Sequence, residues 1–188
     1  MKLSVLVCSL TRRTKYLERL LAVLQPQLTD EVELLIETDD GKLTTGQKRN
    51  ILLEKATGEY VAFVDDDDLV ASSYVQKILE AVKTEPDVVG IHLHHFENDV
   101  LHGMTYHSLK YNSWWHERNK DLPGLTNYYR NPNHINPVKR TIALQVKFPS
   151  AVRGEDKDYS MRLLPLLKTE VFIDEALYYY LDRKPKDV

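Results

Sequence analysis

Four aspartates stand together in this sequence, Asp65, Asp66, Asp67 and Asp68, directly after the apolar run Glu59–Val64. Adjacent carboxylates repel one another unless a positive group or water screens them. A hard divalent cation is the natural counter-charge. Mg²⁺ and Mn²⁺ take oxygen ligands, often one or two carboxylates with substrate phosphates supplying the rest. The competing reading is a solvated acidic turn that caps a helix beginning near Leu69, where aspartate suits the helix dipole. A calcium loop does not fit, because neither the spacing nor a closing glutamate follows.

Other groups are less specific. Gly154 precedes the acidic pair Glu155-Asp156, which opens a helical pattern; alone, such a pair satisfies a helix dipole. His92 and His94 alternate along a strand and share a face, but no nearby cysteine completes a zinc site. They read as packed strand residues. Trp114 and Trp115 lie in a polar stretch; one is expected in the core and the other free to stack on a sugar ring.

The elements that must position these residues follow from periodicity. Lys2–Ser9 is a short β-branched run, a strand buried on both faces. Leu17, Leu20, Leu21 and Leu24 recur at helical spacing across 12–27. Val32–Thr38 is a second strand, closed by the turn Asp39-Asp40-Gly41. Thr45–Ala56 is a helix with Thr44 or Thr45 as N-cap. Glu59–Val64 is a third strand, and Val75, Ile78, Leu79 and Val82 mark a third helix. The order β-α-β-α-β-α predicts a parallel sheet with helices on both faces, whose ligands bind at the carboxyl ends of the strands. Three loops then share one rim: 9–13, 38–42 and 65–68. The second half is less regular. Strands are expected over 87–95, within 100–113 and over 171–181, and helices over 138–146 and 155–164. The stretch 117–137 reads as a long loop.

Composition narrows the class. The 188 residues suit one compact unit, expected to divide into 1–86 and 87–188. The 25 basic and 28 acidic residues give a charge of -3, with no electrostatic reason to expect nucleic acid as partner. One cysteine, Cys8, suits a reducing compartment, so a cytoplasmic location is expected. There is no run of about 18 apolar residues and hence no predicted transmembrane segment.

The motifs in order resemble the donor-binding half of nucleotide-sugar glycosyltransferases of the GT-A fold, and most closely glycosyltransferase family 2. The matches are Ser9 with Thr11, Asp39-Asp40-Gly41, Gly46 with Arg49-Asn50, Ala56–Tyr60, and Asp65-Asp66-Asp67. The resemblance covers roughly residues 3–85. It implies an α/β GT-A fold, with a Rossmann-like, mainly parallel central sheet, helices on both faces and a small antiparallel element. The implied activity is inverting, metal-dependent transfer from a nucleotide-diphosphate sugar (UDP-, GDP- or dTDP-linked) to a carbohydrate or other hydroxyl acceptor.

The resemblance also implies roles. Ser9, Leu10, Thr11, Arg12 and Asp39 would hold the nucleotide base, and Asp65, with Asp66, would lie near the ribose. Asp67 would bind Mn²⁺ or Mg²⁺, with His134 as a further contact to metal or diphosphate. The register Asp66-Asp67-Asp68 fits the pattern too. Lys48, Arg49 and Asn50 would face phosphate or sugar, or else lie on a solvated helix face. The general base is assigned to Asp156, with Glu155 the alternative. Arg183 or Lys184 would approach phosphate. Two other functions compete. A Mg²⁺-dependent nucleotidyltransferase shares such a sheet, but Ser9–Arg13 lacks its glycine-rich loop. An inactive nucleotide-sugar-binding module would lack a base or a metal carboxylate, and both are present.

Overall fold

The computed structural model describes residues 1–182; Arg183 and Lys184 lie outside them. The first half follows the expected alternation: β1 (Leu3–Leu10), α1 (Thr14–Leu24), β2 (Val32–Asp39), α2 (Thr45–Lys55), β3 (Tyr60–Phe63), β4 (Leu69–Val70) and α3 (Tyr74–Ala81). Thr44 caps α2 in a reciprocal box: its hydroxyl accepts from the Gln47 N–H, and the Gln47 side chain accepts from the Thr44 N–H, satisfying two orphan donors. Strand β1 lies between β2 and β3, parallel to both. The residues after the aspartates do not open a helix, as one reading expected. Leu69 and Val70 form β4, and α3 starts only at Tyr74.

The second half adds β5 (Val88–Glu97), β6 (Val100–His107), β7 (Trp115–Arg118), β8 (Thr126–Arg130), β9 (Val138–Lys139), α4 (Arg140–Val146), α5 (Glu155–Leu163) and β10 (Glu170–Asp182). The expected long loop 117–137 is therefore corrected. Thr126–Arg130 pairs antiparallel with β7 and parallel with β6, which satisfies backbone groups that a loop would leave to solvent. Strand β10 runs parallel to β5 and antiparallel to the short β4, so it reaches back to the four aspartates. Among the described residues the result is a mixed sheet of ten strands, the α/β architecture that the sequence resemblance implied.

Successive residues of the central strands point to opposite faces. Val5, Val7 and Ala62 pack with Leu20 and Leu24 of α1 and Ile78 of α3. Leu6, Val61 and Phe63 pack with Leu52 of α2, Ala143 of α4 and Leu163 of α5. Both sheet faces are thus covered, and the strand ends are left to carry the site. Gly46 lets the start of α2 approach this edge: a Cβ there would stand 1.9 Å from the Pro149 carbonyl oxygen. No helix among the described residues is long and apolar enough to cross a membrane. His92 stacks on Tyr106, with ring centroids 4.5 Å apart, as the packed reading expected.

Candidate active site

The carboxyl ends of β1, β2 and β3 hold the first part of the site. Asp39 ends β2. The Leu43 N–H, at 2.7 Å, and the Lys48 ammonium, at 2.9 Å, hold its carboxyl down at about 2. Lys48 is buried and also donates to the Ser9 carbonyl at 2.6 Å. It braces β1 against β2, a role that neither of its expected readings described. Asn50 uses both ends of its amide on the Phe148 main chain, and so fastens α2 to the segment before α5. Leu10, Thr11, Arg12, Asp39 and Asp40 surround an open space of about 340 Å³.

The four aspartates differ sharply in environment. Asp65 receives Arg49 at 2.9 Å and faces the His134 ring at 3.4 Å. Burial pushes its carboxyl up, but Arg49 and His134 outweigh it and hold it well below the usual range. Asp66 is buried, accepting the Ser9 hydroxyl at 2.6 Å and Arg13 at 2.9 Å. There burial wins and pushes the carboxyl up to about 6. The Asp67 side chain is 44% exposed and meets Arg13 at 2.5 Å. Asp68 turns inward to accept the Tyr178 hydroxyl at 2.7 Å and the Leu181 N–H at 2.8 Å. Burial, then the charges of Asp65 and Asp67, push it well above the carboxylate range. Tyr178 also accepts the Asp65 N–H at 3.1 Å, so β10 clamps both ends of the turn. Asp68 therefore anchors the turn to β10.

Helix α5 delivers the acidic pair. Gly154, at φ 77°, turns the chain into it in a left-handed conformation that suits glycine. Glu155 is buried against Arg49 at 2.9 Å. Arg49 itself lies over the Phe148 and Phe63 rings, so this cation joins α2, the aspartate turn and α5. Asp156 has no hydrogen-bond or ion-pair partner among the described residues. It lines a cavity of about 400 Å³ with Arg130, Tyr180, Asp65 and Glu155.

Three neighbouring spaces share lining residues. The outer space at Leu10 adjoins a chamber of about 220 Å³ lined by Ser9, Arg13, Lys48, Arg49 and Asp65–Asp67. Arg49, Asp65 and Glu155 form the wall between that chamber and the Asp156 cavity. Among the described residues no three His, Cys, Asp or Glu side chains converge as a ready metal cage. A cation here would take oxygens from a bound diphosphate, and Asp67 offers the exposed carboxylate for that. His134 lines the Asp156 cavity and not the Asp67 chamber; its Nε2 faces Asp65 at 3.4 Å and its Nδ1 is buried without a partner.

Sequence reasoning missed Arg13, which supplies counter-charge to the turn, and Arg130, which no local motif marks; the late tyrosine run was noted for its basic end and not for the bonds Tyr178 makes to the turn. Trp114 donates to Asn131 and carries the Arg130 guanidinium 4.5 Å above its ring. Trp115 is exposed and stacks on Tyr129.

The chain is similar to known glycosyltransferases in sequence and in fold. The model for glycosyl transferase family 2 matches residues 35–140. An uncharacterized glycosyltransferase of Nostoc sp. is 36% identical over 80 residues, 43% of this chain and 23% of that protein. Glycosyltransferase GlyA of Streptococcus pneumoniae is 24% identical over 161 residues, 80% of this chain and 23% of that one. The chain thus spans under a quarter of the length of these curated relatives. S. aureus TarS (residues 1–349) in complex with UDP-GlcNAc superposes with a TM-score of 0.73 at 18% identity, over 99% of this chain and 60% of that one. Its complex with UDP gives 0.72 at 18% identity, over 96% and 60%. At such identity the likeness is one of fold.

Proposed function

The chain belongs to glycosyl transferase family 2, and we propose that it moves a sugar from a nucleotide-diphosphate donor to an acceptor hydroxyl with inversion. The observation that carries this reading is the shared wall. Arg49, Asp65 and Glu155 divide a chamber rich in cations and aspartates from a cavity holding an open carboxylate.

In this reading the base rests near Leu10, Thr11, Arg12 and Asp39. Asp65 and Asp66 face the ribose side, and Arg13 and Arg49 stand where the diphosphate passes. Asp67 would hold Mn²⁺ or Mg²⁺, which supplies charge stabilisation to the departing diphosphate. Asp156 takes the proton from the acceptor hydroxyl as its oxygen bonds to the anomeric carbon. The bond from that carbon to the diphosphate breaks on the opposite side, and its electron pair leaves with the diphosphate oxygen. Because TarS was crystallised with UDP and UDP-GlcNAc, uridine donors come first in any screen.

The test is nucleoside diphosphate release from UDP-, GDP- and dTDP-sugars in the presence of Mn²⁺. At least one donor should turn over, and Asp156→Asn should cut the rate by about 10²–10⁴ while donor binding persists. No release from any donor, or an unchanged rate in Asp156→Asn, would contradict the reading.

A further inference from the structure

Arginines at this site fall into two kinds. Arg13 and Arg49 are paired with carboxylates at 2.5–2.9 Å. Arg130 lines the Asp156 cavity, yet makes no ion pair or side-chain hydrogen bond among the described residues. Its guanidinium lies 4.5 Å over Trp114 and 5.9 Å from the centre of the Tyr128 ring. The Trp114 indole is itself fixed by its bond to Asn131, and Asn131 by its bonds to Ser160. Such a stack orients a guanidinium without using its N–H donors. The donors stay open to the cavity: none is among the buried, unpartnered atoms.

Burial pulls the Arg130 charge down, and Asp156, the largest opposing influence, offsets this only in part. Arg153 lines the same cavity and also lacks an ion pair among the described residues. Lys157 lies 5.7 Å from the centre of the Trp114 ring. Asp182 lines the cavity too, so the space as a whole is not cationic. Arg130 and Asp156 thus both line this cavity without an ion-pair partner among the described residues.

We propose that Arg130, held on Trp114, binds an anionic group, a phosphate or a carboxylate, carried by the acceptor beside its reacting hydroxyl. A planar guanidinium meets either group through two parallel hydrogen bonds. The inference rests on the glycosyltransferase reading, which makes the Asp156 cavity the acceptor site. It goes beyond that reading by naming the acceptor's chemical class.

The probes are glucose, glucose 6-phosphate and glucuronate, titrated calorimetrically into the full chain saturated with UDP and Mg²⁺. At least one charged sugar should bind about tenfold or more tightly than glucose, and which one does so separates phosphate from carboxylate recognition. Arg130→Met should erase that preference with UDP affinity unchanged, and Arg130→Lys should keep part of it. Equal binding of charged and neutral sugars by the wild type overturns the proposal, as does a preference that survives in Arg130→Met. If Arg130→Met does not fold, a full preference in Arg130→Lys overturns it as well, because an ammonium cannot reproduce the bidentate contact. Repeating the titration without nucleotide separates the two ideas. Loss of UDP binding with intact charge preference counts against the donor site, not against Arg130.

Discussion

Arg49 Nη1 lies 2.9 Å from Glu155 Oε1, both groups are buried, and the contact joins α2 to the first turn of α5. The same guanidinium holds Asp65 at 2.9 Å. One of the two adjacent acids of α5 is therefore committed to structure, and its neighbour Asp156 is left with an open carboxylate in the cavity.

Glu155→Gln and Asp156→Asn should separate cleanly. Removing the Glu155 charge leaves a buried arginine short of a partner and should cost about 3 kcal/mol of stability, seen as a lower urea midpoint. Asp156→Asn should leave the unfolding free energy within about 0.5 kcal/mol of wild type and lose turnover instead. The opposite pattern would move the base to Glu155.

Tyr178→Phe should loosen the aspartate turn from β10. The lost hydroxyl accepts from the Asp65 N–H and donates to Asp68; the Asp65 N–H would lose its partner and Asp68 would keep only the Leu181 N–H. The expected cost is about 1–3 kcal/mol, with a raised KM for the donor and little change in affinity for a minimal acceptor. Urea unfolding and donor titration measure the two effects.

Asp66 should make stability fall with rising pH. Its carboxyl moves from 3.8 to about 6 on folding, so between those values the folded chain holds a proton that the unfolded chain has released. The contribution is fully present below 3.8 and is lost as pH rises to about 6. Asp39 acts in the other direction: held at about 2, it contributes above 3.8 and loses that contribution as pH falls toward 2. Unfolding of wild type and Asp66→Asn, with a chelator present, should show wild type losing stability relative to the variant only across the Asp66 window. A difference constant from pH 4 to 7 would contradict the assignment.

The first half of the fold was legible because each element carries its own period, and local signals such as Thr44 with Gln47 mark where α2 starts. The second half was less so. Thr126–Arg130 becomes a strand through its partners on β6 and β7, and its polar composition carries no period-two alternation to announce that. The site was legible as a set of residues and not as a division of labour. Four identical aspartates in one turn diverge only because their side chains point to different partners, and the partner of Asp68 is 110 residues away. Lys48 looked like a surface or phosphate-facing residue because nothing local shows that Asp39 and the Ser9 carbonyl converge on it. Arg130 carries no local signature either; its importance comes from standing over Trp114 at the edge of the cavity.

In the proposed function the aspartate turn binds a nucleoside diphosphate through a divalent cation held by Asp67. Its most direct test is the melting temperature of the chain with UDP, GDP and dTDP, each with and without Mn²⁺. One nucleotide should raise the melting temperature only when Mn²⁺ is present, by the several degrees expected when ligand is in about hundredfold excess over Kd. Asp67→Ala should abolish that rise while keeping the unliganded melting temperature. No metal-dependent rise with any of the three, or a full rise in Asp67→Ala, would contradict the account.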